Sequence, residues 1–106
     1  MRIKWFPAAI KDIDGIYEYY SKKNQRAATD LYNGILDDAE RLSNNPYIAA
    51  IEPLLSEMPK SYRSLVSGKG KIKIIYHVKD DILIIVRIWD CRQNPEKLKK
   101  SLRTSV

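Results

Sequence analysis

Residues 71–90, KIKIIYHVKDDILIIVRIWD, consist of two runs rich in β-branched and aromatic residues, separated by Lys79, Asp80 and Asp81. In the first run, apolar side chains recur at every second position, which is the pattern of a strand with one buried face. The charged interruption is typical of a turn between two strands. The sequence therefore predicts an antiparallel β-hairpin made of residues 71–78 and 82–89.

The hydrophobic pattern also predicts how the two strands pair. We expect Val78 to pair with Ile82 across a three-residue loop, because a shift by one residue would turn Arg87 toward the core. The core face would then contain Ile72, Ile74, Tyr76 and Val78 opposite Ile88, Val86, Ile84 and Ile82. The second face would contain Lys71, Lys73, Ile75 and His77 opposite Trp89, Arg87, Ile85 and Leu83.

The second face is a candidate functional surface. Two cations directly opposite each other, here Lys73 and Arg87, destabilise a sheet unless an anion or acidic partner lies between them. The apolar residues of this face exceed what water favours, so either a partner segment or the C-terminal helix, through Leu98 and Leu102, should cover part of it. A solvated strand face is the plainer alternative. The candidate anion-binding or partner-binding residues are Lys71, Lys73, Arg87, Trp89, Ile75 and Ile85.

The remaining elements are predicted from caps and periodicity. Pro7 can open a helix at its first position, and Asn24 can cap a second one. Gly34, inside that second helix, suggests close packing against the first helix. The predicted elements are a strand at 2–6, helices at 8–20 and 25–42, a strand at 62–66, the hairpin, and a short helix starting at Pro95. We therefore expect one α+β domain, residues 1–106, with an αα-hairpin packed on one face of an antiparallel sheet.

Charge is distributed unevenly along this chain of net charge +6. Residues 1–57 carry seven basic and nine acidic side chains, a net of −2, whereas residues 58–106 carry twelve and four, a net of +8. A basic half of this kind indicates a phosphate-containing or acidic partner.

Composition excludes several other classes of function. One cysteine, Cys91, and one histidine, His77, cannot supply a conventional zinc site, so we predict no metal and no cofactor. We expect His77 to be a surface strand residue. No apolar run approaches the roughly 20 residues of a membrane span, and no signal-peptide pattern is present, so we expect a cytoplasmic protein.

Four segments together resemble a known family. They are residues 40–46 (ERLSNNP), 62–66 (YRSLV), 72–78 (IKIIYHV) and 86–95 (VRIWDCRQNP). Their order and spacing, and the length of the chain, resemble the RelE/ParE superfamily, the toxins of bacterial type II toxin–antitoxin systems. The resemblance implies a toxin that arrests growth and forms a hetero-oligomer with a cognate antitoxin, which neutralises it.

The resemblance leaves two activities open. RelE-like members cleave mRNA on the ribosome, and for that activity Arg63, Lys73 and Arg92 match basic positions of the nuclease site, with Arg87 in support. Leu65 and Leu98 stand where such nucleases often have a lysine and a tyrosine. ParE-like members inhibit DNA gyrase, and the long helical hairpin and the turn at 89–95 are similar to theirs. We therefore expect a ParE-like toxin, with a metal-independent mRNA endonuclease as the alternative.

Overall fold

The computed structural model describes the backbone of residues 1–105 and the side chains of residues 1–103. Its elements are β1 (Arg2–Trp5), α1 (Pro7–Ser21), α2 (Gln25–Asn44), β2 (Arg63–Ser67), β3 (Ile72–Lys79), β4 (Ile82–Asp90) and α3 (Pro95–Ser105). Short 3-10 turns lie at Pro53–Leu55 and Gly68–Gly70. The predicted α+β architecture is confirmed.

The predicted helix starts are confirmed as well. Pro7 is the first residue of α1, where its missing N–H has no helical partner to lose. The side chain of Asn24 caps α2 by accepting a hydrogen bond of 3.1 Å from the Ala27 amide. Asn94 plays the same part for α3, accepting from the Glu96 amide at 3.0 Å.

The sheet has four strands in the order β1-β4-β3-β2. The predicted antiparallel meander of β2, β3 and β4 is confirmed. β1 adds to it in parallel with β4, so the complete sheet is mixed.

The pairing predicted within the β3–β4 hairpin is wrong. Asp80 and Asp81 form a two-residue turn with φ of 52° and 60°, so Lys79 pairs with Ile82 and the register moves by one residue. Two successive positive φ angles define a type I′ turn. Its usual sequences, such as Asn-Gly or Asp-Gly, contain a glycine, which this turn lacks. A β-bulge beyond Tyr76 then leaves Val86 unpaired and moves the register by another residue.

The two-residue turn and the bulge together change which β4 side chains face the helical hairpin. Ile84 and Val86, predicted for the main core, belong to the opposite face, whereas Leu83 and Ile85 occupy the main core with Ile88. The predicted β3 contribution is confirmed. The main core contains Ile72, Ile74 and Tyr76 packed against Ala9, Ile13, Ile16, Ile35, Ala39 and Leu42 of α1 and α2.

The second face of the sheet is covered by the chain itself. Leu98 and Leu102 of α3, both essentially inaccessible to solvent, pack with Ile75, Val86 and Trp89. The sequence analysis allowed either a partner segment or the C-terminal helix to cover this face. In the structure, the C-terminal helix covers it.

The prediction that Gly34 allows close packing of α2 against α1 is wrong. A Cβ added to Gly34 would meet no atom within 4 Å, so the residue does not mark a close contact with α1. It lines an open groove between α2 and the 67–71 turn instead.

Candidate functional site

Lys73, on the interior strand β3, is held in an ion pair. Its ammonium nitrogen lies 2.6 Å from Oε1 of Glu52, whose side chain is completely buried. The same carboxylate accepts hydrogen bonds from the Leu54 amide at 2.9 Å and the Ser64 hydroxyl at 3.1 Å. Burial opposes the charge of Glu52, but these hydrogen bonds, first that of Lys73, outweigh burial and keep the pKa of the carboxyl below its usual value.

Arg87 is held by a second carboxylate, that of Asp12 on α1. Its Nε and Nη2 atoms lie 2.7 and 2.8 Å from the two oxygens of Asp12, a bidentate pair. β1 pairs with β4 only as far as Ile85, and Asp12 accepts from the Ile88 amide at 3.0 Å beyond that point. The hydrogen bonds that Arg87 donates to Asp12 raise the pKa of Arg87. Arg87 is thereby built into the packing of α1 on the sheet.

Arg92 lies in the turn after β4 and pairs with Asp90. Its Nε is 3.0 Å and its Nη2 is 2.5 Å from oxygens of that carboxylate. The guanidinium also stacks on α1, with its central carbon 4.3 Å from the ring centroid of Tyr19 and 5.4 Å from that of Tyr20. Hydrogen bonding to Asp90, followed by that to Tyr19, raises the pKa of Arg92.

Arg63, the fourth cation of the predicted nuclease set, faces away from Lys73. Arg63 pairs with Tyr76 and Lys73 with Val66, so their side chains leave opposite faces of the sheet. Nη1 of Arg63 donates to the Ala49 carbonyl at 2.7 Å, and its guanidinium lies over the Tyr47 ring.

The predicted facing pair of cations is therefore wrong. Lys73 is opposite Trp89 and Arg87 is opposite Ile75, because the turn and the bulge move the register. Each cation has its own carboxylate, so the like-charge repulsion that suggested an anion between them does not arise.

The other predicted partner-binding residues differ in exposure. Ile75 and Ile85 are fully buried, on opposite faces of the sheet, and Trp89 is 4% exposed. Because these three pack inside the chain, the prediction that they form a surface with Arg87 is wrong. Lys71 does lie at the surface, with its ammonium 5.2 Å from the Tyr20 ring centroid.

His77, expected at the surface, is 4% exposed. Its ring packs edge-on against Tyr62 with centroids 5.5 Å apart, and its Nε2 has no hydrogen-bond partner. Burial, reinforced by the charges of Lys60 and Lys79, lowers the pKa of His77. A buried, neutral histidine of this kind belongs to the packing of the second face.

Sequence reasoning missed the anionic and aromatic partners of these cations. Glu52 lies in a stretch without periodicity, and Asp12 resembles any other polar position of an amphipathic helix. Tyr19 and Tyr20 have the spacing of packing residues, yet Tyr19 is 40% exposed beside Arg92. Only Asp90, two residues from Arg92, was signalled by its nearness in sequence.

Within residues 1–105, no helix is long and apolar enough to cross a membrane. In the same part of the chain, no group of three or more potential ligand side chains could hold a metal ion.

Comparison with known proteins agrees with this architecture. A family model described as the ParE toxin of the type II toxin–antitoxin system parDE matches residues 3–95. A chain of the solved structure titled "Chromosomal ParDE TA system from P. aeruginosa" superposes with a TM-score of 0.71 at 26% identity, covering 85% of this chain and 95% of that one. No curated protein sequence matches. The class defined by fold and sequence is the RelE/ParE superfamily of type II toxins, as expected. Within it, the chain belongs to the ParE toxin family.

Proposed function

We propose that this ParE-family chain arrests bacterial growth by binding a protein target, DNA gyrase, rather than by cutting RNA. The observation that supports this most directly is the separation of the cations that a nuclease would need on one surface. Arg63 and Lys73 project from opposite faces of the sheet, and Lys73 and Arg92 each donate to a carboxylate of the chain.

The chemistry of RNA cleavage gives a second reason. The reaction needs a base for the 2′-hydroxyl, stabilisation of charge at phosphorus and an acid for the leaving oxygen. Lys73 donates a hydrogen bond to the buried Glu52. The carboxylate of Glu52 therefore neutralises the positive charge that Lys73 would need to stabilise a phosphate. Leu98 of α3, near the position of the nuclease tyrosine, is completely buried against the sheet, and its aliphatic side chain cannot transfer a proton.

We further propose that a cognate antitoxin neutralises the chain and that residues 1–106 act as one toxin domain in the cytoplasm. The solved relative comes from a toxin–antitoxin system by its title. The net charge of +8 on residues 58–106 favours an acidic partner segment.

The cellular test is brief induction of the chain without antitoxin, followed by parallel pulse-labelling of DNA and protein synthesis. We expect DNA synthesis to stop first and the response to DNA damage to be induced. Immediate arrest of translation with continuing replication would contradict the proposal and favour the RelE-like alternative.

Two variants sharpen this test. Arg92→Gln removes a cation that a nuclease site would need, and Lys79→Gln removes one at the β3–β4 turn as a matched control. Arrest of translation that Arg92→Gln abolishes and Lys79→Gln preserves would identify a nuclease.

A further inference from the structure

Five residues form a cluster at the end of the molecule where α1 ends and the turn after β4 begins. We call it the tyrosine–cation cluster, and its members are Tyr19, Tyr20, Lys23, Lys71 and Arg92. The two rings pack edge to face with centroids 5.1 Å apart. Lys23 lies 4.8 Å from the centroid of Tyr19, Lys71 lies 5.2 Å from that of Tyr20, and Arg92 touches both rings.

The cluster is ordered by contacts within the chain. Asp90 fixes the Arg92 guanidinium through both Nε and Nη2 and also accepts from the Arg92 amide at 2.9 Å. The two cations beside its ring, first Lys23 and then Arg92, lower the pKa of Tyr19. A surface ordered before binding loses little conformational entropy when a partner arrives.

Positive charge in the cluster exceeds negative charge. Three cations surround the rings, and Asp90 is the carboxylate that pairs with one of them. Among the described residues, neither Lys23 nor Lys71 forms a salt bridge. Exposed tyrosine and arginine side chains are the residue types that contribute most at protein interfaces. The unpaired ammonium groups therefore favour an anionic partner that also contacts aromatic rings.

An open groove of about 480 Å³ continues from the cluster between α2 and the 67–71 turn. Tyr20 and Lys71 belong to both the cluster and the groove, and Ala27 and Leu31 add apolar surface. Three aspartates of α2, Asp30, Asp37 and Asp38, also line the groove, so negative charge on a bound segment is favoured at the cluster but not along α2.

We propose that the tyrosine–cation cluster binds an acidic, amphipathic segment of the cognate antitoxin. The carboxylates of the segment contact Lys23 and Lys71, and its apolar side chains enter the groove beside α2. This inference rests on the proposed neutralisation by an antitoxin and adds the place and the chemistry of the contact. It does not depend on the identity of the toxin's target.

The test is titration of purified chain with its antitoxin at low and high salt. The double variant Lys23→Glu with Lys71→Glu reverses the unpaired charges, and Lys11→Glu with Lys79→Glu makes the same change of charge elsewhere. We expect the first variant to bind at least about tenfold more weakly and to lose much of the salt dependence, and the control to bind within about twofold of the parent. The double variant Lys23→Arg with Lys71→Arg should keep the parent affinity.

Growth arrest by each variant is measured in parallel, and circular dichroism verifies folding. Unchanged antitoxin affinity of the folded Lys23→Glu, Lys71→Glu variant would overturn the proposal. If that variant also lost toxicity, the cluster would be a contact for the target instead. Failure of the parent chain itself to bind the antitoxin would refute the proposed neutralisation, which is a separate outcome.

Discussion

The ammonium group of Lys73 lies 2.6 Å from the carboxylate of Glu52, which no solvent reaches. The pair joins the 46–62 connection to the middle of the sheet, because Glu52 also binds the Leu54 amide and the Ser64 hydroxyl. The side chain of Lys73 keeps 27% of its exposure. The two members of the pair are therefore unequal, since Lys73 can turn toward water and Glu52 cannot.

This inequality predicts the order of two substitutions. Lys73→Met leaves a buried carboxylate without its cation and should lower the free energy of unfolding by about 2 kcal/mol, less than for a fully buried pair because Lys73 is partly exposed. Glu52→Gln keeps an acceptor for the Leu54 amide and should cost about 1 kcal/mol. Urea unfolding of both variants and the double variant measures these values. Additive effects, or a larger loss from Glu52→Gln, would contradict the described geometry.

Asp12 has two partners, and its substitution should be correspondingly costly. Asp12→Ala leaves the Arg87 guanidinium unpaired and the Ile88 amide without its acceptor, so we expect a loss of about 3 kcal/mol. Arg87→Lys keeps the charge but loses the bidentate geometry, and we expect about 1 kcal/mol. Thermal unfolding of the two variants checks the order. Equal stability of Asp12→Ala and the parent would show that the pair contributes nothing.

His77 predicts how stability depends on pH. Burial lowers its pKa below the usual 6.5, so the unfolded chain binds more protons in this region and stability should fall as the pH drops below 6.5. The pKa values of Glu52 and Asp90 are lowered as well, so these carboxylates stabilise the fold at neutral pH and lose that contribution only under more acidic conditions.

His77→Phe keeps a ring against Tyr62 and removes the titration. Between about pH 7.5 and 5.5, urea unfolding of the parent should lose stability while that of His77→Phe stays level. The chain has one histidine, so no other imidazole contributes in this range. Parallel curves for the two proteins would mean that protonation of His77 is not linked to folding.

Gly15, within α1, offers a stabilising substitution. A Cβ at this position would meet no atom within 4 Å, and alanine is the better helix former. We expect Gly15→Ala to raise the free energy of unfolding by about 0.5 to 1 kcal/mol without affecting toxicity. A destabilised variant would contradict the open space found around Gly15.

Much of the fold was predictable because it depends on local signals. Pro7, Asn24 and Pro95 mark helix starts through the chemistry of their own side chains, and the β3 alternation selects its core face. The pairing of β3 with β4 was not predictable in the same way. Asp80 and Asp81 adopt positive φ without glycine, and the bulge at Val86 depends on tertiary packing.

The candidate site was predicted less well for the same reason. A residue's cationic character is visible in sequence, but the carboxylate that neutralises it is not. Asp12 and Arg87 are 75 positions apart, and Glu52 and Lys73 are 21 apart. In the observed register, the four predicted site cations do not share one surface. Each has its own partner elsewhere in the chain; the four are Arg63, Lys73, Arg87 and Arg92.

The most direct measurement of the central claim is a pair of assays with the purified chain. DNA gyrase supercoiling is measured with increasing toxin, and programmed ribosomes are given the same concentrations and examined for mRNA cleavage. The expected result is inhibition of supercoiling with intact mRNA, because cations already paired with carboxylates are not available to stabilise charge at phosphorus. Cleaved mRNA with unaffected supercoiling would contradict it.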